Sequence, residues 1–325
     1  MTNPAVSLVI PVYNEQANID ELVDRCVKMC EGLGRSYEII LVDDGSSDNS
    51  RQKLREHAAK HAGKIIAVLL NRNYGQHPAV FAGLKKSRGE VVVTLDADLQ
   101  NPPEEVPKLL AKTDEGYDVV GSVRIKRKDS FFRRLPSLAI NAMVRKTTGV
   151  MMSDYGCMLR AYRRNVVDAV LMCTERSTFI PILANSFASK TTEVLVEHAE
   201  RSHDDSKYNI WKLINLQFDL LTSMTSFPLR LLSLLGGVLA FFGFAAGVLL
   251  VVMRLIYGAA WAADGVLTVF AGLFVFTGVQ LFGLGLVGEY LSRVYNDVRD
   301  RPRYFVSETL GDDSSPAVTG KTDSE

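Results

Sequence analysis

The chain has 325 residues, enough for a core domain and a second, smaller unit. Lysine plus arginine and aspartate plus glutamate number 37 each, so the net charge of zero indicates no polyanionic partner. The four cysteines form no C-x-x-C pair, which favours buried free thiols over a disulfide or a zinc site. No basic-then-apolar leader stands at the N-terminus, so we expect the first domain to stay in the cytoplasm.

Strand-like and helical patterns alternate along the first part of the chain. This alternation predicts an α/β fold with a largely parallel sheet covered by helices on both faces. No G-x-G-x-x-G follows the first strand, which excludes the dinucleotide-binding form of that fold. The predicted strands begin at Val6, Tyr37, Lys64, Val91, Tyr117 and Thr191, and the predicted helices cover Ile19–Leu33, residues 50–61, Gln76–Lys86 and Glu104–Asp114.

An acidic turn, Thr94–Gln100, follows the apolar run Val91–Val93. It stands at the carboxyl end of a predicted strand, where open α/β sheets bind ligands. In an extended chain, Asp96, Asp98 and Gln100 point to one side and present oxygen ligands that suit Mg²⁺ or Mn²⁺. We therefore predict a metal–diphosphate site here rather than a solvated acidic loop.

A basic amphipathic segment covers residues 124–147. It contains eight lysines or arginines against one acid, Asp129, and apolar residues such as Phe131, Phe132 and Leu135 lie between them. Nucleic acid would fit the charge, but a membrane-surface helix fits the apolar content better. We therefore expect a membrane-lipid partner and no nucleic acid.

Two uncharged apolar runs, Leu231–Met253 and Gly265–Gly288, follow a second amphipathic helix predicted at residues 210–229. At about 1.5 Å per residue, each run can span the roughly 30 Å hydrocarbon layer, which predicts a transmembrane hairpin. The tail after about Val306 is rich in Ser, Asp, Thr and Gly and is predicted to be disordered. The loop between the two runs contains one arginine, Arg254, whereas the segments on the other side of the hairpin contain five: Arg230, Arg293, Arg299, Arg301 and Arg303. Because positive charge is enriched on the cytoplasmic side of membrane proteins, we predict that both termini are cytoplasmic.

Four motifs at the ends of the predicted strands belong together: Val9–Glu15, Val42–Asp48, Asn71–Gly75 and Asp96–Glu104. They resemble the GT-A-fold, family 2 glycosyltransferases that load polyprenyl phosphates, and the resemblance covers residues 6–305. The implied fold is a Rossmann-like GT-A domain with amphipathic interface helices and the C-terminal two-helix transmembrane hairpin. Three further stretches resemble the branch of the family that acts on undecaprenyl phosphate: Asp154–Tyr162, Glu175–Asn185 and Arg301–Phe305.

The resemblance implies a role for each candidate site residue. Related loops commonly carry glycine between the arginine and the serine of the acceptor loop, whereas Asp204 stands here and is expected to alter loop closure. The implied catalytic residues are Asp96, Asp98 and Asp154. Donor binding is implied for Pro11, Tyr13, Glu15, Asp43, Asp44, Asp96 and Arg124, metal binding for Asp98 and Gln100, and acceptor or phosphate binding for Arg201, Ser206, Lys207 and Tyr208.

The reaction implied by the resemblance is inverting, metal-dependent transfer of 4-deoxy-4-formamido-L-arabinose from its UDP-linked donor to undecaprenyl phosphate. Such a reaction serves lipid A modification and polymyxin resistance. The implied cofactor is Mg²⁺ or Mn²⁺, the implied location is the bacterial inner membrane, and the implied assembly is a homotetramer. A glucosyl or mannosyl polyprenyl-phosphate synthase and a non-catalytic membrane scaffold are the alternatives, whereas a processive polysaccharide synthase would carry a Q-x-x-R-W motif that is absent here.

The expected domain order follows from these segments. A cytoplasmic catalytic domain, residues 1–200, precedes a mobile active-site loop, residues 201–209. The interface helix, the two spans and a cytoplasmic C-terminal segment, residues 289–325, complete the chain.

Overall fold

The computed structural model describes residues 3–124, 157–173, 179–197, 227–257, 266–299 and 302–312. The chain divides into two compact units. The first comprises Met1–Lys207 with Arg301–Glu325, and the second comprises Tyr208–Asp300.

The first unit is built on an eight-stranded sheet. Its strands are β1 (Val6–Val12), β2 (Tyr37–Asp43), β3 (Ile65–Leu70), β4 (Val91–Thr94), β5 (Val119–Arg124), β6 (Arg160–Arg163), β7 (Thr191–Val196) and β8 (Val306–Leu310). They lie in the order β7-β5-β6-β4-β1-β2-β3-β8. The central strands β4, β1, β2 and β3 are parallel, so their carboxyl ends meet at one side of the sheet.

Helices cover both faces of this sheet. Alternate residues of β1 point to opposite faces, so Leu8 and Ile10 join one hydrophobic cluster while Val9 joins the other. Burial on both faces explains why these strands are continuous apolar runs. The first face packs α1 (Ile19–Gly32), α2 (Ser50–Lys60) and α4 (Val106–Asp114); the second packs α3 (Gln76–Lys86), α5 (Arg164–Met172) and α6 (Ile180–Phe187).

The predicted α/β class and the parallel centre of the sheet are confirmed, but two strands were missed. β6 runs antiparallel to β4 and to β5, and β8 runs antiparallel to β3. The sheet is therefore mixed rather than largely parallel. Both strands are short and pair with partners far away in sequence, so local periodicity carries little signal for them.

Disorder after Val306 was a wrong prediction for Val306–Leu310, which form β8. The Ser307 hydroxyl donates a hydrogen bond to Leu69 O at 2.8 Å, and Glu308 accepts one from Arg55 at 2.7 Å. Composition predicted disorder because β8 has few apolar residues, but the unpaired edge of β3 supplies backbone hydrogen bonds that composition does not report.

The predicted free thiols are confirmed, because Cys26, Cys30 and Cys157 are buried and unbridged and Cys173 is partly buried. Burial raises the pKa of the Cys30 thiol to about 12, so this thiol stays protonated at neutral pH.

The second unit contains α7 (Phe227–Tyr257) and α8 (Val266–Val298), so both apolar runs are helical as predicted. The helices pack antiparallel: a Cβ on Gly243 would lie 2.9 Å from the Phe276 ring, and a Cβ on Gly283 would lie 3.2 Å from Leu232. Among the described residues, no helix combines the length and apolarity that crossing a membrane requires, so spanning is not confirmed. The predicted segments 125–147, 201–209 and 210–226 lie outside the described residues.

Gly83 sets how closely α3 approaches the sheet. A Cβ at this position would overlap the Val9 side chain and lie 3.1 Å from Val42.

We predict that Gly83→Ala lowers the free energy of unfolding by about 1–3 kcal/mol through overpacking. Gly32→Ala is the control: no atom lies within 4 Å of its Cβ, so the change should stabilise α1 by roughly 0.5–1 kcal/mol. Thermal unfolding measures both, and equal effects would refute the packing argument.

Candidate active site

A pocket of about 330 Å³ opens at the carboxyl ends of β1, β2 and β4. The position agrees with the rule that open α/β sheets bind ligands beyond the carboxyl ends of their strands. Four of its lining residues carry carboxylates and none is basic. The lining residues are Pro11, Val12, Tyr13, Glu15, Asp44, Asn73, Gly75, Gln76, Asp96, Ala97 and Asp98.

Two adjacent aspartates at the end of β2 have different surroundings. Asp43 is fully buried, accepts hydrogen bonds from Ser46 N–H at 3.1 Å and Arg51 Nε at 2.9 Å, and does not line the pocket. Asp44 lines the pocket and accepts the N–H groups of Tyr74 at 2.7 Å and Gly75 at 2.9 Å. Asp43 thus fixes the turn after β2 to α2, whereas Asp44 binds the loop 71–75 that follows β3.

Burial raises the pKa of the Asp44 carboxyl above its ordinary value. The Tyr74 and Gly75 N–H groups act in the opposite direction because they stabilise the carboxylate, and the negative charge of Asp43 raises the pKa further. The pocket therefore contains an acid whose ionised form depends on two backbone donors. A cation in the pocket would favour that ionised form.

The loop 71–75 between β3 and α3 forms one wall of the pocket. Gly45 lies so close to it that a Cβ would overlap the backbone of Arg72 and Asn73, and its φ of +70° also requires glycine. Gln76, the first residue of α3, donates a hydrogen bond from Nε2 to Asp96 Oδ1 at 2.7 Å. Loop and helix together bring Asn73, Gly75 and Gln76 to the acidic turn.

The acidic turn after β4 is not extended. Leu99 has φ of +59°, in the left-handed region, and the Gln100 N–H donates to Asp98 Oδ1 at 3.1 Å. The assumption that three alternating side chains share one direction is therefore wrong, because the backbone turns at Leu99. Asp96 and Asp98 line the pocket, whereas Gln100 does not.

The described residues contain no group of three or more His, Cys, Asp or Glu side chains placed to hold a metal ion. Mg²⁺ is usually held by one or two carboxylates together with substrate phosphates, so such a group is not required. Asp96 and Asp98 are hard oxygen donors in one pocket and fit this mode of binding. They are the residues that would hold a divalent cation.

A buried polar cluster fixes the segment Cys157–Arg160 beside the acidic turn. The Thr94 hydroxyl donates to Met158 O at 2.5 Å, and the Ser122 hydroxyl donates to Leu159 O at 2.6 Å. Arg160 is fully buried and donates from Nε to Cys157 O at 2.8 Å. This cluster anchors the chain three residues after Asp154, which itself lies outside the described residues.

The structure groups the predicted site residues as follows. Arg124 ends β5 and does not line the pocket. Sequence reasoning missed Asn73, Gly75 and Gln76 as pocket residues, although the motif Asn71–Gly75 was noticed and was the signal available. The pocket brings together Pro11, Tyr13, Glu15, Asp44, Asp96 and Asp98, while Asp154, Arg201, Ser206, Lys207 and Tyr208 lie outside the described residues.

The described fold and site define a class of protein. Residues 7–171 match the model of glycosyl transferase family 2, and the chain belongs to this family. It is 60% identical over 306 residues to the undecaprenyl-phosphate 4-deoxy-4-formamido-L-arabinose transferase of Proteus mirabilis, covering 94% of each chain. It is 59% identical over 317 residues to the protein of the same name in Pseudomonas fluorescens, covering 97% of this chain and 94% of that protein.

Solved structures share the fold at low sequence identity. Mannosyl-3-phosphoglycerate synthase from Rubrobacter xylanophilus has a TM-score of 0.51 and 16% identity, covering 68% of this chain and 72% of that one. Glucosyl-3-phosphoglycerate synthase from Mycobacterium tuberculosis, in complex with Mn²⁺, UDP and phosphoglyceric acid, has a TM-score of 0.50 and 20% identity, covering 69% and 78%. The GT-A sheet predicted from the sequence is thereby confirmed as the fold class.

The two hydrogen bonds to Asp44 can be tested by amide exchange. In Asp44→Asn one backbone N–H faces a side-chain NH₂ group instead of an oxygen. We predict that the amides of Tyr74 and Gly75 exchange roughly 5- to 150-fold faster, as expected for about 1–3 kcal/mol of lost hydrogen bonding.

Asp48→Asn is the matched control, because Asp48 accepts the N–H groups of Gln16 at 3.1 Å and Ser50 at 2.9 Å, away from loop 71–75. It should leave exchange in the loop unchanged. Unaltered exchange in Asp44→Asn would show that Asp44 does not hold the loop.

Proposed function

We propose that this protein transfers 4-deoxy-4-formamido-L-arabinose from its UDP-linked form to undecaprenyl phosphate, in the modification of lipid A that gives polymyxin resistance. The observation that supports the proposal is the acidic pocket at the carboxyl ends of the central strands. A glycosyl transferase of family 2 needs a site for its activated donor, and open α/β sheets bind ligands at this position. The relatives named for this reaction are 58–60% identical and match at least 94% of this chain, which supports the particular sugar and acceptor.

Charge in the pocket supports a role for a divalent cation. Glu15, Asp44, Asp96 and Asp98 line it, and the lining residues that the structure describes include no lysine, arginine or histidine. A diphosphate at about 4 Å from one such carboxylate is repelled by roughly 4 kcal/mol per charge pair at an effective dielectric near 20. A bound Mg²⁺ or Mn²⁺ would offset this repulsion and stabilise the departing UDP. The Mycobacterium tuberculosis enzyme, which shares the fold, is in complex with both Mn²⁺ and UDP.

The chain's own residues bind and orient the donor. Pro11 lies in β1, and Tyr13 and Glu15 follow that strand. Together they form the pocket wall proposed to hold uridine, beside Asp44. Gln76 holds Asp96 in position through its hydrogen bond, and Asp98 is, together with Asp96, a proposed metal ligand. Gln100, which donates its backbone N–H to Asp98, shapes this ligand rather than lining the pocket.

The acceptor phosphate is the nucleophile. Its second pKa is about 6, so it is mostly a dianion at neutral pH and needs little help from a general base. One of its oxygens forms a bond to the anomeric carbon as the bond from that carbon to UDP breaks, which inverts the configuration. Asp154 is proposed to hold the sugar or a cation, and Arg124, Arg201 and Lys207, with Ser206 and Tyr208, are proposed to contact phosphate.

Membrane attachment completes the proposal, because the acceptor is a lipid. Leu231–Met253 and Gly265–Gly288 contain no charged residue, and α7 and α8 expose large apolar side chains such as Phe241, Phe244 and Leu284. Exposed apolar surface of this extent is typical of contact with lipid or another protein. We propose an inner-membrane hairpin with both termini in the cytoplasm, an interface helix at residues 210–229, and a homotetramer as the resemblance implies.

A panel of donors tests the proposal. The protein in detergent, incubated with undecaprenyl phosphate and single UDP-sugars, should transfer 4-deoxy-4-formamido-L-arabinose far faster than glucose or mannose, as measured by mass analysis of the lipid. Excess chelator should abolish transfer and added Mn²⁺ should restore it.

Asp98→Asn should be inactive but folded, since losing a metal ligand removes several kcal/mol of leaving-group stabilisation. Preferred transfer of glucose or mannose would replace the sugar in the proposal. Absence of transfer from every donor would favour a non-catalytic scaffold.

Gln76 offers a second test of the site. Gln76→Glu places two carboxylates at hydrogen-bond distance, where repulsion of roughly 6 kcal/mol at an effective dielectric near 20 opposes the ionised Asp96. We predict that kcat/KM for the donor falls at least about 100-fold in Gln76→Glu. Gln76→Ala, which loses only a hydrogen bond worth about 0.5–1.5 kcal/mol, should lose about 2- to 10-fold. Equal losses in the two variants would show that Gln76 does not act through Asp96.

A further inference from the structure

The segment 302–312, which we call the C-terminal strap, belongs to the first unit although it follows α8 in the chain. It includes β8 and extends the sheet beyond β3. Its described contacts concentrate on β3, on loop 71–75 and on α3, and two of these three elements form a wall of the donor pocket.

The first half of the strap holds the loop and the middle of α3. Phe305 O accepts the N–H of Asn71 at 3.1 Å, at the start of loop 71–75. The Arg303 guanidinium lies 4.1 Å from the centre of the Phe81 ring and donates a hydrogen bond to Cys173 O. Tyr304 packs on the same hydrophobic cluster as Tyr74 of the loop.

The second half of the strap holds the far ends of α3 and β3. The buried Asp312 carboxylate pairs with Lys86, the last residue of α3, and lies 3.9 Å from Arg88. Gly311 approaches Ile65 O so closely that a Cβ would overlap it, and its φ of +74° also requires glycine. The strap is thus anchored by backbone pairing in the middle and by a buried ion pair at its end.

Loop 71–75 is therefore held from two sides. Asp44 binds the N–H groups of Tyr74 and Gly75 at one end, and the strap binds Asn71 at the other. Asn73, the lining residue between them, has its backbone against Gly45. A loop fixed in the geometry that receives a ligand loses less conformational entropy on binding.

We propose that the C-terminal strap is a positioning element for the donor pocket, with Arg303 as its principal positioning residue. The strap holds loop 71–75 and α3 so that Asn73 and Gln76 meet the donor in a fixed arrangement. Affinity for the nucleotide then depends on a segment that does not itself line the pocket. This inference rests on the proposed function only in naming the ligand as a UDP-sugar.

Arg303→Met in the full chain tests the proposal, because it removes the cation–π contact and the hydrogen bond to Cys173 O. Binding of UDP with Mn²⁺ should weaken about 2- to 30-fold, the range in which residues remote from a ligand change its binding. The KM for the donor should rise by the same factor while kcat at saturating donor and the KM for undecaprenyl phosphate stay unchanged. Arg303→Lys, which keeps the cation over the ring, should recover part of the affinity.

Arg55→Met is the matched control, because it removes another arginine that contacts the strap. Arg55 pairs with Glu308 at 2.7 Å, on the side of α2 and away from loop 71–75. Each side chain of this pair is 38% exposed, so the pair is partly screened by solvent and UDP affinity should stay within about twofold of wild type. Equal weakening in the two variants would reduce the strap to a general stabilising element and overturn the proposal.

Hydrogen exchange separates this proposal from the proposed function. The amides of residues 71–75 should exchange faster in Arg303→Met than in wild type and in Arg55→Met, with or without nucleotide. Unchanged exchange would overturn the positioning role even if the enzyme transfers the expected sugar. Faster exchange with no UDP binding by wild type would retain the positioning of the loop and reject the proposed donor.

Discussion

The buried carboxylate of Asp44 joins two parts of the chain that the pocket cannot do without. It ends β2 and binds the backbone of the loop after β3, so two neighbouring strand ends form a single wall. The contact is possible because Gly45 lets the loop backbone lie directly against the turn. A side chain at position 45 would separate them, and the other features of the pocket depend on their closeness.

Negative charge in the pocket is the second constraint. It opposes the close packing around Asp44, because burying a carboxylate disfavours its charged form. Four carboxylates converge where a diphosphate is proposed to bind, and burial already raises the pKa of the Asp44 carboxyl. Backbone N–H groups at Asp44 and Asp98 and the Gln76 amide at Asp96 stabilise these charges one by one. The arrangement holds these side chains in position in advance, which lowers the cost of organising the site on binding.

The strap gives this pocket a support that comes from the other end of the sequence. β8 covers the edge of β3, which would otherwise expose unpaired backbone groups. The same segment contacts α3 at Phe81 and at Lys86, so it also fixes the helix that presents Gln76. One short segment thus protects a sheet edge through β8 and supports a pocket wall through Arg303 and Asp312, which flank β8.

Apolar periodicity was enough to predict the central strands and helices and the position of the acidic turn, because it reports burial directly. The sequence also indicated Asp96 and Asp98 as pocket residues, since open α/β sheets bind ligands at the carboxyl ends of their strands, whereas Tyr13 and Glu15 followed from the resemblance to the family. Only the tertiary structure separated Asp43 from Asp44, because Arg51 lies opposite one and loop 71–75 opposite the other. The left-handed Leu99, which removes Gln100 from the pocket, and the pairing of β6 and β8 likewise depend on contacts with residues far away in the chain, and no local pattern encodes which residues those are.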